Sequence, residues 1–280
     1  MGTRVRVYRG RSNRGCIVLL VLGFVLICIA PCAITGGLIF AASRGAFGEA
    51  EVLDASYNEP KGDAQSAQVS ILAGLADMDV TAFVDSSELF AADIRYVGGI
   101  DYNVSGEEEK RVSLRQTQGD FDFFGALSLF NININPTDEQ LRWTVSLTPD
   151  LPLSLDIEGG VADMTLDLST LELQDVRLET GVGNTTVTLP APAEGIGSYE
   201  VRLNGGVGDA NITLPEGVEV RIEADRGVGD VNVPSGLERI SGSDTAGPDT
   251  RGVWETAGYD DAEVRITIIV DGGVGDLTVR

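Results

Sequence analysis

The hydrophobic positions of this chain follow two patterns, one continuous and one alternating. Cys16–Ala42 is a run of 27 residues without a charge, and about 20 helical residues are enough to cross a bilayer core. Beyond this run, apolar residues recur at alternate positions in short segments, as in strands that bury one face. The pattern predicts an all-β ectodomain after one N-terminal transmembrane helix.

The alternating segments repeat around a glycine-rich turn. Six turns share the form Gly-x-x-Asp or Gly-x-x-Asn, and their first glycines are Gly74, Gly160, Gly181, Gly206, Gly227 and Gly273. From Gly160 onward the spacings are 21, 25, 21 and 46 residues, and the last spacing predicts a degenerate copy near Gly252-Val253-Trp254. We predict a repeat-built β-solenoid in which each rung has two short strands joined at a sharp corner.

The corner gives its glycine and acidic residues a structural role. Glycine accepts a positive φ and permits close approach of another backbone, and Asp or Asn bonds back to the backbone of its own turn. The turn residues assigned to this role are Gly181, Gly183, Gly206, Gly208, Asp209, Gly227, Gly229, Asp230, Gly273, Gly275 and Asp276. If consecutive rungs stack in chain order, Arg177 lies beside Asp156 on the outer face, and Arg202 lies beside Glu223.

These patterns divide the chain into five segments. We predict a basic cytoplasmic tail at 1–15, a transmembrane helix at 16–42, an acidic tether at 43–65, an N-terminal part of the β ectodomain at 66–150 and a β-repeat domain at 151–280. Within 66–150, the run Asp93–Asn103 reads as one strand and Glu107–Arg111 as a hairpin tip. Phe121–Asn135 is rich in Phe and Leu and reads as core or cap, with an exposed partner-binding patch as the alternative.

The distribution of arginines orients the helix. Five arginines precede the apolar run, whereas only Arg44 and Lys61 follow it closely, so the N-terminus is predicted to be cytoplasmic and the β domain extracytoplasmic at the cell membrane. A cleaved secretory signal and a lipoprotein signal ending at Cys32 are the alternatives, and both also export the domain. Small residues on one helix face permit self-association or simply reflect membrane-helix composition; these residues are Ala33, Gly37 and Ala41.

Composition restricts the chemistry of the exported part. Residues 43–280 carry 43 acidic and 15 basic side chains, a net charge of −28, which argues against nucleic acid and anionic lipid as partners. The chain has no histidine, and its three cysteines, Cys16, Cys28 and Cys32, all lie in the apolar run. The domain therefore lacks the residues for a disulfide, a zinc site or a thiol nucleophile, and we predict no catalytic residue.

The turn aspartates raise the question of a metal. Stacked carboxylates could hold calcium, but Asn184 interrupts the series, and calcium-binding β-rolls have a nine-residue period that this chain lacks. Turn bonding accounts for these residues without a metal. The Gly-x-Gly patterns lack the following helix that would receive a phosphate, and no acidic pair stands out as that of a glycosidase. We predict no metal, no cofactor and no enzymatic activity.

Two passages carry a family resemblance. Val69–Ile100 contains Leu-Ala-Asp-Met-Asp-Val, and Gly159–Pro190 contains Asp-Leu-Ser-Thr-Leu and Gly-Val-Gly-Asn-Thr-Thr-Val-Thr-Leu-Pro. Together with Trp254–Tyr259 and the final Gly-Val-Gly-Asp, they resemble the toast-rack domains of bacterial envelope proteins, a group related to adhesins and to cell-wall-active-antibiotic response proteins. The resemblance covers about residues 66–280 and implies a stack of β rungs without a defined catalytic residue.

Topology and resemblance together predict the function. We expect a membrane-anchored extracytoplasmic interaction or envelope-stress sensory module, with an envelope or signalling protein as its partner. An adhesin-like structural surface protein is the alternative. Members of the group commonly carry several membrane helices or other appended domains, whereas this chain has one apolar run, so the identity of a partner does not follow from the resemblance.

Overall fold

The structure, a computed structural model, describes residues 52–84, 87–117, 141–161, 163–193, 195, 197–242 and 251–280. The predicted transmembrane helix, with its Ala33, Gly37 and Ala41 face, and the apolar stretch 121–135 lie outside these residues. No helix in the described ranges is long and apolar enough to cross a bilayer. Apart from a 3-10 turn at Tyr259–Asp261, the regular structure of these ranges is β, which confirms the all-β class.

The strands form two sheets, one along each side of the core. The first sheet contains β1 Val52–Pro60, β3 Asp77–Ala82, β4 Glu88–Val97, β7 Arg142–Leu147, β9 Met164–Asp167, β11 Thr185–Thr188, β13 Ala210–Thr213, β15 Val231–Asn232 and β19 Leu277–Val279. The second contains β2 Ser66–Leu75, β5 Gly99–Ser105, β6 Glu109–Thr117, β8 Pro152–Val161, β10 Glu172–Val182, β12 Tyr199–Asn204, β14 Glu219–Asp225, β16 Glu238–Gly242, β17 Arg251–Glu255 and β18 Arg265–Asp271.

Alternation along each strand builds the core between the sheets. In the rung of β10 and β11, Val176 and Leu178 point inward from the second sheet and Val187 from the first, and all three are buried. Each such side chain contributes about 1.5–3 kcal/mol by leaving water. Because every rung repeats this arrangement, one continuous apolar cluster runs through the described part of the stack.

The repeat rungs are parallel, but they do not stack in chain order. In the second sheet the order is β8, β10, β12, β18 and then β14, and the first sheet follows with β9, β11, β13, β19 and β15. The rung of Gly273 therefore lies between those of Gly206 and Gly227. The predicted pairing of Arg202 with Glu223 is wrong, because Ile269 lies between them, whereas Arg177 does lie beside Asp156.

The degenerate copy predicted near Gly252 is not a rung. Strand β17 pairs antiparallel with both β14 and β16, so this segment forms a hairpin that covers the end of the second sheet. Buried Trp254 gives it the alternating pattern of a strand, and such a pattern carries no information about strand direction. The prediction failed for that reason.

The N-terminal end of the stack is antiparallel. Strand β1 pairs with β4, and β4 pairs with β7, so residues 52–60 form a strand and the prediction of a tether is wrong there. The run Asp93–Asn103 is two strands, divided at Gly98, whose φ is +91°. Strands β5 and β6 form the predicted hairpin, with Ser105 opposite Arg111.

Candidate functional site at the glycine corner

At the corner where the rungs turn from one sheet to the other, glycine occupies the first position of every turn and also the third position of the four Gly-Val-Gly turns. A Cβ on Gly206 would lie 1.7 Å from the carbonyl oxygen of Gly181, and one on Gly208 would lie 2.0 Å from that of Gly183. Gly208 also has a φ of +146°, which L side chains rarely adopt. The corner therefore requires glycine because successive rungs approach closely there and because the backbone turns sharply.

Backbone hydrogen bonds join the corners of neighbouring rungs. The Val207 N–H donates to the Gly181 carbonyl at 2.7 Å, and the Gly183 N–H donates to the Val207 carbonyl at 2.9 Å. The same exchange continues to the next rung through Val274, whose N–H donates to the Gly206 carbonyl at 2.8 Å. The corner is thus a third hydrogen-bonded ladder beside the two sheets.

The Asp or Asn of each turn holds the next rung. Asp209 accepts the backbone N–H of Asp276 at 2.9 Å, and Asp276 accepts that of Asp230 at 2.9 Å. In the same way Asp163 accepts the N–H of Asn184 at 2.7 Å, and Asn184 accepts that of Asp209 at 3.1 Å. We call this series the carboxylate ladder; its members in stack order are Asp77, Asp163, Asn184, Asp209, Asp276 and Asp230.

The prediction that each of these side chains bonds to its own turn is wrong in one respect. The acceptor reaches the N–H of the neighbouring rung, because parallel stacking brings that N–H closer to the oxygen in line with it. Asn184 fits the series because its amide oxygen accepts the same bond as a carboxylate. Within the described ranges, no group of three or more acidic, histidine or cysteine side chains has the geometry to hold a metal ion.

An exposed aliphatic column follows the same corner. The second residue of five turns is a valine with 40–61% of its surface exposed, and successive valines are bridged by parallel pairing. We call this column the valine ridge; in stack order it is Val161, Val182, Val207, Val274 and Val228. Leu75 pairs with Val161 and extends the column by one rung. Large apolar side chains exposed in a contiguous row mark interaction surfaces more often than isolated ones do.

Carboxylates lie on both sides of the valine ridge. The carboxylate ladder follows it two residues along the chain, on the side of the first sheet. Three residues before each valine, at the end of the second sheet, is another exposed acidic column that we call the acidic rail; it consists of Glu158, Glu179, Asp271 and Asp225, with Asn204 among them. In the described part of the chain, the salt bridge of Arg251 with Asp225 is the one formed by either column.

One buried arginine stabilises the corner from the inside. Arg226 precedes Gly227 and is 4% exposed, and its guanidinium donates to the carbonyl of Gly275 at 2.7 Å. Burial lowers the pKa of Arg226, while Asp209 and Asp276 oppose that shift. Its Nε has no hydrogen-bond partner. The nitrogen that donates to Gly275 also donates to the carbonyl of Gly208 at 3.5 Å, so Arg226 holds carbonyls of two rungs together at a position where the neighbouring rungs have glycine.

The repeat pattern of the sequence predicted the glycines and aspartates of this corner, but it did not predict the valine ridge or Arg226. The repeated valine was visible in every Gly-Val-Gly turn, and its position between two glycines of a tight turn was a signal of exposure. Arg226 gave no such signal, because a charged residue beside a turn is usually solvated. Only the insertion of the Gly273 rung next to it explains its burial.

Two protein families match overlapping parts of the chain. Residues 48–213 match the family described as the N-terminal domain of toast_rack, DUF2154, and residues 161–279 match the C-terminal region of the family described as cell wall-active antibiotics response LiaF. No curated protein matches the chain.

Two solved structures are similar to this chain to different degrees. A "putative cell adhesion protein" from Clostridium sporogenes is 20% identical, with a TM-score of 0.63 over 82% of this chain and 99% of that one. A "putative adhesin" from Bacteroides fragilis is 12% identical, with a TM-score of 0.29 over 82% and 97%. The first of these shares the fold. Since the toast_rack match spans more than half of its residues, this chain belongs to the toast_rack family.

Proposed function

We propose that this protein is a membrane-anchored, extracytoplasmic interaction module that senses envelope stress and has no catalytic activity. The observation that carries the proposal is the valine ridge, a row of exposed aliphatic side chains between two acidic columns. Soluble proteins rarely expose such a row unless another molecule covers it. The matched LiaF family, whose description names a response to cell wall-active antibiotics, supports a sensory role.

The corner suits recognition because its backbone is rigid. Each turn is fixed by the backbone ladder of the corner and by the carboxylate ladder, so the valines keep their spacing whether or not a ligand is bound. A preorganised surface loses little conformational entropy on binding. The signal then depends on whether the ridge is occupied and passes to a membrane partner.

Site-specific crosslinking in cells tests this function. A photoreactive amino acid placed at Val182 or Val207 is expected to capture a membrane signalling protein, identified by mass spectrometry. The yield should change when the cells are exposed to a cell wall-active antibiotic. The same amino acid at Val84, which is 89% exposed and away from the corner, is the control and should give no such product. Equal products at all three positions would contradict the proposal.

The location is tested separately. The charge-free run of 27 residues and the five arginines before it support an anchor with a cytoplasmic N-terminus. Protease added to intact spheroplasts should remove the β domain and leave the N-terminal tail protected. Complete protection of the β domain would refute this topology.

An adhesin-like surface role is the second candidate, and one observation favours it. Across the five repeat strands of the first sheet, the outer face carries an in-register row of uncharged hydroxyl and amide side chains, which suits a hydroxyl-rich polymer; the row is Thr165, Thr186, Asn211, Thr278 and Asn232. The relative from Clostridium sporogenes is also described as an adhesion protein. Replacing Thr186 and Thr278 with Val should reduce cell attachment to wall polymer if this candidate is correct, and should leave the crosslinking at Val207 unchanged.

A further inference from the structure

We propose that the valine ridge binds a cationic amphipathic helix, with the helix's apolar stripe on the valines and its lysines or arginines beside the two acidic columns. This inference rests on the proposed interaction function and names the chemical class of its ligand. Three features of the corner select this class: the length of the ridge, the negative charge on both sides of it, and the backbone N–H and C=O groups that are already hydrogen-bonded between rungs.

The length and spacing of the ridge fit a helix. Neighbouring rungs are about 4.8 Å apart, so the six aliphatic residues from Leu75 to Val228 span about 24 Å. A helix repeats every 5.4 Å and rises 1.5 Å per residue, so about 16 residues cover the ridge and place roughly one apolar residue on each valine. In an extended peptide, side chains on the same face recur about every 6.8 Å. They would no longer coincide with the valines within two rungs.

The charge beside the ridge selects a cationic ligand. The carboxylate ladder and the acidic rail lie two and three residues from each valine, at most about 7–10 Å along an extended chain. A helix with its side chains is about 10 Å wide, so lysines or arginines on both flanks of its apolar stripe reach these carboxylates. A second copy of this chain would instead bring acidic columns against acidic columns, which is unfavourable.

The backbone of the corner excludes strand addition. The N–H groups of Val207 and Val274 and the carbonyls of Gly181 and Gly206 are already used between rungs. A peptide added as a strand needs free backbone donors and acceptors for its affinity. The ligand must therefore be held by side-chain contact and charge, which is how an amphipathic helix binds a groove or ridge.

The direct test measures binding of a synthetic 18-residue leucine–lysine peptide with all its leucines on one helical face. The full chain is placed in nanodiscs of zwitterionic phosphatidylcholine, and binding to empty nanodiscs is subtracted. The expected result is saturable binding that weakens as salt increases, because the flanking contacts are ionic. A scrambled peptide of the same composition, which has no apolar stripe, should bind at least about tenfold more weakly. Equal binding of both peptides would overturn the proposal.

Paired variants locate the site. The V182S/V207S variant should lower the affinity at least about tenfold, since two aliphatic contacts are lost. The V84S/V264S variant, which changes two exposed valines away from the ridge, is the matched control and should bind like the unaltered protein. Unchanged affinity in V182S/V207S, or an equal loss in the control, would overturn the assignment.

Charge variants test the flanks without disturbing the turns. Asp209→Asn and Asp276→Asn keep an oxygen for the N–H of the next rung, as Asn184 does, and Glu179→Gln and Asp271→Asn remove two of the four charges of the acidic rail. The fourfold variant should bind more weakly and with a smaller salt dependence, whereas Asp101→Asn with Glu107→Gln should have no effect. A salt dependence equal to that of the unaltered protein would place the ionic contacts elsewhere and overturn the assignment of the flanks.

The outcomes for ligand and function are separable. If the peptide fails to bind while Val207 captures a membrane protein in cells, the ligand class is wrong and the proposed function stands. If the peptide binds through the valine ridge while no protein is captured in cells, the chemistry of the ridge stands and the sensory function fails.

Discussion

The parallel rungs and the N-terminal end of the stack differ in what fixes neighbouring strands to one another. In the rungs, each turn contacts the equivalent turn of its neighbour through glycine approach and the carboxylate ladder. At the N-terminal end, β1, β4 and β7 pair antiparallel, and the side-chain contacts occur once, such as that of Tyr57 on β1 with Tyr102 on β5 of the other sheet, with ring centroids 4.7 Å apart.

The difference shows where a repeated sequence is required and where it is not. Each rung contacts an equivalent rung on either side, so its two contact surfaces must be complementary to each other. The Gly-Val-Gly-Asp turn recurs for that reason. A terminal strand has one neighbour and a free edge. Strand β1 carries exposed Asp54, Ser56 and Asn58 and ends at Pro60. Exposed polar side chains and a proline discourage another strand from pairing at this edge.

The largest expected effect comes from adding one methyl group at the corner. Gly208→Ala should lower the free energy of unfolding by at least about 3 kcal/mol, because the new Cβ meets a backbone oxygen and the φ is strained. Gly62→Ala, at the N-terminal end, has a φ of +57° and its nearest atom, Lys110 Nζ, at 3.8 Å, so about 1 kcal/mol is expected. Chemical denaturation of the full chain in detergent measures both.

The matched control for these variants is Gly236→Ala, where a Cβ would have no atom within 4 Å. Its stability should stay within about 0.5 kcal/mol of the unaltered protein. If Gly208→Ala and Gly62→Ala cost the same, backbone strain alone would explain both, and close approach between rungs would not distinguish the two regions.

A smaller loss is expected from the buried arginine. Arg226→Met keeps much of the side-chain volume but leaves the Gly275 carbonyl without its 2.7 Å donor, and should cost about 2 kcal/mol. Arg115→Met changes an exposed arginine at the N-terminal end and should change the stability by less than about 0.5 kcal/mol. Equal melting temperatures for the two variants would show that Arg226 does not support the corner.

The carboxylate ladder should respond to loss of its oxygen and tolerate loss of its charge. Asp209→Ala leaves the N–H of Asp276 without its acceptor and should cost about 1 kcal/mol, whereas Asp209→Asn should be nearly neutral because Asn184 already serves this role. Thermal unfolding of the two variants side by side measures the difference. An equal loss in both would mean that the charge, and not the hydrogen bond, is what matters.

The smallest expected effect is that of metal removal. The carboxylates at the corner already accept backbone N–H groups, so a chelator should leave the melting temperature unchanged at neutral pH. A loss of several degrees, restored by calcium but not by magnesium, would make Asp209 and Asp230 ligands and would reverse the interpretation of the ladder.

Local features were predictable from the sequence, and long-range order was not. The inward position of Val176 and Leu178 and the need for glycine at 208 follow from alternation and from turn chemistry, which involve neighbouring residues. The Gly273 rung lies beside that of Gly206 because of pairing between residues more than 60 positions apart. The spacing of the turns along the sequence does not determine which rungs become neighbours, since every rung has nearly the same turn.

The same limit applies to the candidate site. The aspartates were recognised, but their hydrogen bonds cross to the next rung, and this depends on stacking. The burial of Arg226 depends on the Gly273 rung, which comes last in the sequence. The tether prediction failed at 52–60 for a related reason, because a polar terminal strand has a composition similar to that of a linker.

The position of the Gly273 rung has a consequence for synthesis and export. Strands β18 and β19 lie between partners that are made earlier, and within the described residues β15 pairs with β19 and no other strand. A chain that stops before residue 265 would therefore lack more than its last rung: β14 to β17 would also lose their contact with the body of the stack. The edges of β12 and β13 would stay open, and proteases could then recognise an incomplete protein by this unpaired surface.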